Sequence, residues 1–350
     1  MTKASLTNTK SRKTSLLSKL LRYGLPLLIS IGLCYVLFHG LDFRSMIDFV
    51  KMDCDFSYIL LSMLLTIPAY MARGYRWRLQ LRASGINPPA YAMFYSIAGT
   101  YAVNLVFPRL GEVWRSEYLA QRQKTPFVTV LGSMISDRLA DTLTVFLLLV
   151  ATFFLAGSAV EGFINTYPAT YESVSRLVSS PLTYIVLAAV IGFGVFFFRH
   201  KWSNRYILKI RQQFHNLGNG FMAIFHMKGK GKWLLLTVVI WGIYFTQLWI
   251  GMQAFGFTRE IVTQHGIIVV LVCFVLSSLS MGIPSQGGFG PYQLAIMFGL
   301  SCFEAGISEE KAGALANVLL GAQTLMTIAV GLVTFALIAV DNRRLSKTGK

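Results

Sequence analysis

The chain has 350 residues, 54% hydrophobic and 13% charged, with a formal net charge of +17. So apolar a composition excludes a soluble protein organised around one packed core, and the longest polar stretch, about thirty residues, is too short to fold alone. The positive charge does not describe a nucleic-acid surface, because the basic residues flank the hydrophobic runs instead of forming a patch of their own.

A hydrocarbon core of ~30 Å calls for about 20 apolar residues per helix. Runs of that kind lie near 24–42, 56–72, 91–107, 128–157, 181–198, 233–255, 264–283, 290–303 and 313–340. Ahead of them, residues 1–20 form a basic tail rich in Ser and Thr, expected to be disordered. The first run lacks a small-residue cleavage pattern and reads as a retained anchor. Phe43, Met46, Ile47 and Val50 hint at a short outer helix, and the stripe Ile207, Ile210, Phe214, Leu217, Phe221 and Ile224 predicts an amphipathic surface helix within 203–226.

Loop charge decides how the runs cross. Residues 1–23 hold six Lys/Arg and no acid, 73–82 hold four Arg, 199–232 hold eight Lys/Arg and no acid, and the tail from Asp341 adds four more. Crossing at every run would put 199–232 outside, against the preference of basic loops for the cytoplasm. Two re-entrant hairpins remove the conflict, one entering from the cytoplasm and turning at Pro108–Gly111, the other spanning 264–303 from outside. The cytoplasmic side then holds 26 of the 32 basic residues.

The predicted fold is all-α and polytopic, with about six full transmembrane helices plus two re-entrant hairpins in an inverted-topology repeat. The tail 1–20 precedes a membrane domain over 21–341, with repeat one at 21–158 and repeat two at 178–341, and a basic tail follows over 342–350. Pro108 and Pro284 stand 176 residues apart, an offset shared by the runs starting at 56 and 232. Paired broken segments of this kind point to a transporter-type site at mid-membrane.

Three groups of residues could carry chemistry. On the helix starting near Phe127, Asp137 and Asp141 share a face at i,i+4 and Arg138 reaches Asp141 at i,i+3, all near mid-bilayer depth, where charge is expensive and by default functional. The alternative is a buried Arg–Asp pair that only fastens helices. In the first turn Arg109, Glu112 and Arg115 form a plausible phosphate cradle, since a guanidinium fork matches phosphate oxygens and a helix start offers free N–H groups. They could equally be rim charges. In the second turn Pro284, Gly287, Gly288 and Gly290 precede Gln293, in a sequence permitting tight turns but lacking the Lys-Ser/Thr of a nucleotide loop. Cys34, Cys54, Cys273 and Cys302 are scattered, as are the five histidines, so no metal site, cofactor or disulfide framework is expected.

The stretches Asn104-x3-Pro108-Arg109-x-Gly111-Glu112-x2-Arg115, Asp137-Arg138-x2-Asp141 and Pro284-x2-Gly287-Gly288-x-Gly290 resemble the lysylphosphatidylglycerol synthase transmembrane-region family, the flippase-like membrane half of multiple-peptide-resistance-factor proteins. The resemblance covers roughly 20–341. It departs at Gln293, where an acidic residue is frequent, and at Asp137, where Glu is common. It implies binding or translocation of a phosphate-headed lipid, with Asn104, Arg109, Glu112, Arg115, Asp137, Arg138 and Asp141 as headgroup residues and membrane lipids as partners. The family's aminoacyl-transferase half has no counterpart in the sequence, so the chain is not expected to be an enzyme by itself, and a separately encoded transferase is a candidate partner. Residence in a bacterial cytoplasmic membrane with both termini cytoplasmic is the matching expectation. A lipid-modifying subunit and a non-transporting scaffold stand as the alternative functions.

Overall fold

The computed structural model describes residues 53–157, 229–283, 285–304 and 309–348, with Lys51, Met227, Ile307 and scattered positions between 161 and 192. The N-terminal tail, the run near 24–42, the short outer helix, most of the run near 181–198, the amphipathic helix within 203–226 and Pro284 lie outside the described residues.

Local signals explain where the helices begin and end. Helix α1 (Phe56–Leu64) starts at Asp55, whose carboxylate accepts the Ser57 N–H at 3.0 Å. It runs with little interruption into α2 (Thr66–Ala83), making a 28-residue apolar span over Phe56–Ala83. The sequence reading ended this span near 72 because four arginines follow; the helix in fact carries them. Pro88-Pro89 then opens α3 (Ala90–Val106), proline being pre-set for a first turn. At Phe107-Pro108-Arg109 the chain breaks, with Arg109 in the left-handed region at φ 67°, and α4 (Leu110–Gln123) begins. Lys124, also left-handed, and Pro126 separate α4 from α5 (Phe127–Leu155).

Five more helices follow among the described residues. Helix α6 (Lys230–Gln253) is followed by α7 (Gly256–His265) and α8 (Ile267–Ser280), bent by 111° at Gly266. A single 3-10 turn over Gln286–Gly288 leads to α9 (Pro291–Ser301), and α10 (Glu309–Thr348) closes the chain. Residues 342–348 of the expected basic tail continue this helix. No strand occurs among the described residues, only an isolated bridge between Cys54 and Phe255. Four helices there are long and apolar enough to cross a membrane, at Phe56–Ala83, Phe127–Leu155, Lys230–Gln253 and Lys311–Arg343, and the bent α7–α8 pair would make a fifth. The four coincide with four of the six expected spans.

Among the described residues two main hydrophobic clusters form, one centred on each half, and a small third one joins Ala156, Val272 and Cys302. Trp77, Leu81, Met93, Ile97, Leu119 and Val130 pack together in the first, and Met252, Phe255, Cys273, Ile296 and Leu315 in the second. Polar contacts cross between them: Arg73 Nη1 donates to Tyr244 Oη at 3.3 Å, and the Tyr101 and Tyr244 hydroxyls lie 3.2 Å apart. Gln247 Nε2 donates to the Ser62 carbonyl at 3.0 Å and to Thr66 Oγ1 at 3.1 Å. The outer face of α5 exposes Leu143, Phe146, Leu147, Phe153 and Phe154, the apolar periphery expected of a helix facing lipid.

Each broken segment folds into a helical hairpin. In the first, Gly111 brings α4 so close to α3 that a Cβ there would press into the Thr100 carbonyl and come within 2.7 Å of Asn104 Oδ1. Close backbone approach through small residues is how helices gain packing energy where lipid supplies no hydrophobic drive. The two hairpin tips meet: a Cβ on Gly287 would lie 3.2 Å from Leu105, and Arg109 Nη2 donates to the Gly282 carbonyl at 2.6 Å.

Candidate functional site

Helices α2 and α5 bring charge to the centre of the molecule. Arg76 of α2 is fully buried and binds both aspartates of α5, through Nη2 to Asp137 Oδ1 at 2.7 Å and to Asp141 Oδ1 at 2.6 Å, with Nε on Asp137 at 3.1 Å. Arg73, one helical turn earlier, binds the other oxygen of Asp141 and stands 3.8 Å from Asp137 Oδ2. An i,i+3 arginine pair thus faces the i,i+4 aspartate pair. Removing four charges from water is tolerable only when they satisfy one another in this way.

The arrangement corrects two expectations. Arg73 and Arg76 were counted as loop charges, whereas they are the principal partners of Asp137 and Asp141. Arg115 was assigned to the headgroup cradle, but it is fully buried beneath Trp77, with its guanidinium 4.4 Å from the indole centre and Nη2 3.6 Å from Asp137 Oδ2. It supports the aspartates from behind.

The remaining polar residues make a second set of contacts at the hairpin turns. Arg138 reaches Asp141 only at 3.8 Å and pairs chiefly with Glu112, Nη2 to Oε1 at 2.9 Å. Glu112 also accepts from Asn104 Nδ2 at 3.2 Å, while Asn104 Oδ1 accepts the Gly111 N–H at 2.8 Å. Asn104 therefore caps the restarted helix, satisfying one of its free donors. Gln293 does the same in the second hairpin, accepting the Gly290 N–H at 2.6 Å and donating to Asn317 at 2.9 Å. Gly287, Gly288 and Gly290 all have positive φ, as the glycine-dense turn predicted.

A cavity of about 850 Å³ lies between the hairpins, α2, α5, α6 and α10. Arg73, Arg109, Arg138, Glu112 and Asp141 form its charged wall, and Tyr101, Tyr244, Gln247 and Gln323 a neutral polar one. Asn104 and the turn residues Pro108, Gly287 and Gly288 also line it, whereas Asp137 and Arg115 do not. On one side its lining includes Val113, Leu139, Met281 and Ile283, which are exposed, so the cavity opens to the surface beside apolar side chains. Sequence reasoning missed the tyrosine and glutamine wall, which comes from three helices, α3, α6 and α10, that no local pattern links. No group of three or more His, Cys, Asp or Glu fit to hold a metal ion occurs among the described residues.

Comparison with known proteins agrees with the motifs and adds extent. Neither the curated proteins nor the solved structures give a match. The family model described as lysylphosphatidylglycerol synthase TM region matches residues 24–331, which takes in both hairpins and the whole charged centre. The chain therefore belongs to the lysylphosphatidylglycerol synthase TM region family and is a membrane protein tied to lipid handling.

Proposed function

We propose that the chain binds a phosphate-headed lipid in the central cavity and moves it across the membrane. The observation that carries this reading is one cavity that joins guanidinium groups at its centre to an opening beside exposed apolar side chains. A phosphate would meet Arg138 and Arg109, while acyl or prenyl chains extend past Leu139 and Ile283 into the bilayer. Guanidinium matches phosphate oxygens in geometry as well as charge. In this reading the two hairpins are re-entrant, enter from opposite faces and gate the cavity at their tips, as in inverted-repeat transporters. The chain resides in the cytoplasmic membrane with its basic loops facing the cytoplasm.

Reconstitution tests it. Proteoliposomes holding fluorescent phospholipids or a polyprenyl phosphate are expected to show translocation with the wild type and none with Arg138→Met. Equal rates in the two would remove Arg138 from the site. No movement of any lipid by folded wild-type protein would refute the transport reading.

A further inference from the structure

Helices α2 and α3 leave a groove of about 360 Å³ between them, and none of its lining residues lines the central cavity. Its walls are Ile67, Met71 and Tyr75 on α2 and Tyr91 and Phe94 on α3. Gly74 sets the floor, because α2 meets the Met93 backbone there and a Cβ would stand 3.4 Å from it. Ile67, Met71, Tyr75 and Tyr91 are exposed, so the groove is open to the outside. One end is cationic. Arg78 Nε donates to the Pro88 carbonyl at 2.7 Å, which holds the guanidinium against the turn into α3. Its two terminal nitrogens have no partner among the described residues. Arg82, one turn further on, is exposed and is held through Nε by Asn87 at 2.9 Å. No acidic residue occurs between Asp55 and Glu112, so neither wall can neutralise these charges.

We propose that this groove docks one phosphate-headed lipid of a single leaflet, its phosphate on Arg78 and Arg82 and an acyl chain between Met71 and Phe94. This lipid is distinct from the cargo of the central cavity, and its site stands or falls separately. Length fits the assignment: Ile67 and Arg78 are 78 − 67 = 11 positions apart, ~16 Å of helix, about half of a ~30 Å hydrocarbon core. Tyr75, Tyr91 and Tyr95 lie near the cationic end, the kind of side chain enriched where hydrocarbon gives way to headgroups. Terminal guanidinium nitrogens match phosphate oxygens in geometry and charge. A protein partner would have to bring a carboxylate at headgroup depth above an apolar side chain, whereas a phospholipid has both by construction. Bound there, it would tie α2, which carries Arg73 and Arg76, to the entering arm of the first hairpin.

Photolabelling of the full chain in phosphatidylcholine vesicles tests this. The probe is a phosphatidylglycerol carrying a diazirine on one acyl chain, and labelled peptides are read by mass spectrometry. Label on 67–78 and 90–95 is expected to exceed label on the exposed α5 residues Phe146 and Phe154 by roughly tenfold. A diacylglycerol with the same diazirine chain and no phosphate is expected to lose that excess, and so is Arg78→Gln with the phosphatidylglycerol probe. Equal labelling of groove and α5 would mean ordinary bilayer contact and overturn the proposal, as would an excess that survives loss of the phosphate. Should Arg78→Gln fail to fold, Met71→Trp fills the groove and is expected to abolish the excess; undiminished label overturns the proposal equally. An excess seen only when copies of the chain are diluted apart would give the groove to a second copy and overturn the lipid assignment. Arg138→Met is expected to stop transport and leave the excess unchanged. Loss of the excess in that variant would make the labelled lipid cargo in transit and defeat the separate site.

Discussion

Arg109 Nη2 donates to the carbonyl of Gly282 at 2.6 Å, so one guanidinium joins the tips of two hairpins 173 positions apart. Its own backbone is left-handed at φ 67°, a conformation that costs a residue with a Cβ roughly 1–2 kcal/mol. Side chain and backbone therefore pull in opposite directions, which a pair of variants can separate. Arg109→Gly and Arg109→Ala both delete the bridge, but only glycine relieves the backbone. The glycine variant is expected to be the more stable by about 1 kcal/mol, seen as a higher unfolding temperature in detergent. Equal melting of the two would mean that the backbone is not strained.

The buried arginine–aspartate centre makes a sharper demand. Asp137→Asn leaves Arg76 and Arg115 short of compensation at positions without access to water, a loss of about 3–5 kcal/mol. Replacing both partners, Asp137→Leu with Arg76→Met, removes one of the two uncompensated charges, leaves Arg115, and is expected to recover part of that loss. Thermal unfolding of the wild type, Asp137→Leu, Arg76→Met and the double variant decides it. A double variant as unstable as the two single losses added together would mean that the residues act independently.

Two glycines in the turns differ in what they resist. At Gly111 a Cβ meets the rigid Thr100 carbonyl and the Asn104 side chain, so Gly111→Ala is expected to spread α3 from α4 and cost about 2–3 kcal/mol. At Gly288 the nearest atom is the flexible Met281 Cε at 2.8 Å, which can move, and the cost is the backbone's at φ 87°, about 1 kcal/mol. Expression yield and melting temperature are expected to fall further for Gly111→Ala. The reverse order would contradict the close approach at the first turn.

Sidedness is open to labelling. Lys232 opens α6 and Glu260 lies on α7, both exposed and at opposite ends of that segment. In intact cells a cysteine at Lys232 is expected to resist a membrane-impermeant maleimide, and one at Glu260 to react. The opposite pattern would invert the topology.

Much of this was legible in the sequence, for physical reasons. The turns announced themselves because proline and glycine interrupt apolar runs, and Asp137 with Asp141 stood out because charge at bilayer depth is costly. Arg73 and Arg76 did not stand out. Four arginines within ten residues lower the local hydropathy as a loop does, and an average over the window discards their spacing. The spacing was the signal: arginines at i,i+3 on an extended α2 complement aspartates at i,i+4 on α5. Arg115 shows the converse limit, since nothing in its neighbours says that Trp77 will cover it. The tyrosine and glutamine wall was beyond reach because Tyr101, Tyr244 and Gln323 come together only through tertiary packing.

One part of the contact between the two hydrophobic clusters is polar, through Tyr101, Tyr244, Gln247, Thr66 and Arg73, beside apolar contacts such as Phe335 against Trp114. Apolar surfaces that part must be wetted at full cost, but groups such as these exchange one partner for a water with little net change. At this polar part the two clusters are held by exchangeable hydrogen bonds, whereas their apolar contacts, such as Phe335 against Trp114, hold by excluding water. Water reaching the polar part would replace those hydrogen bonds at little net cost, so the strength of the join rests on its apolar part.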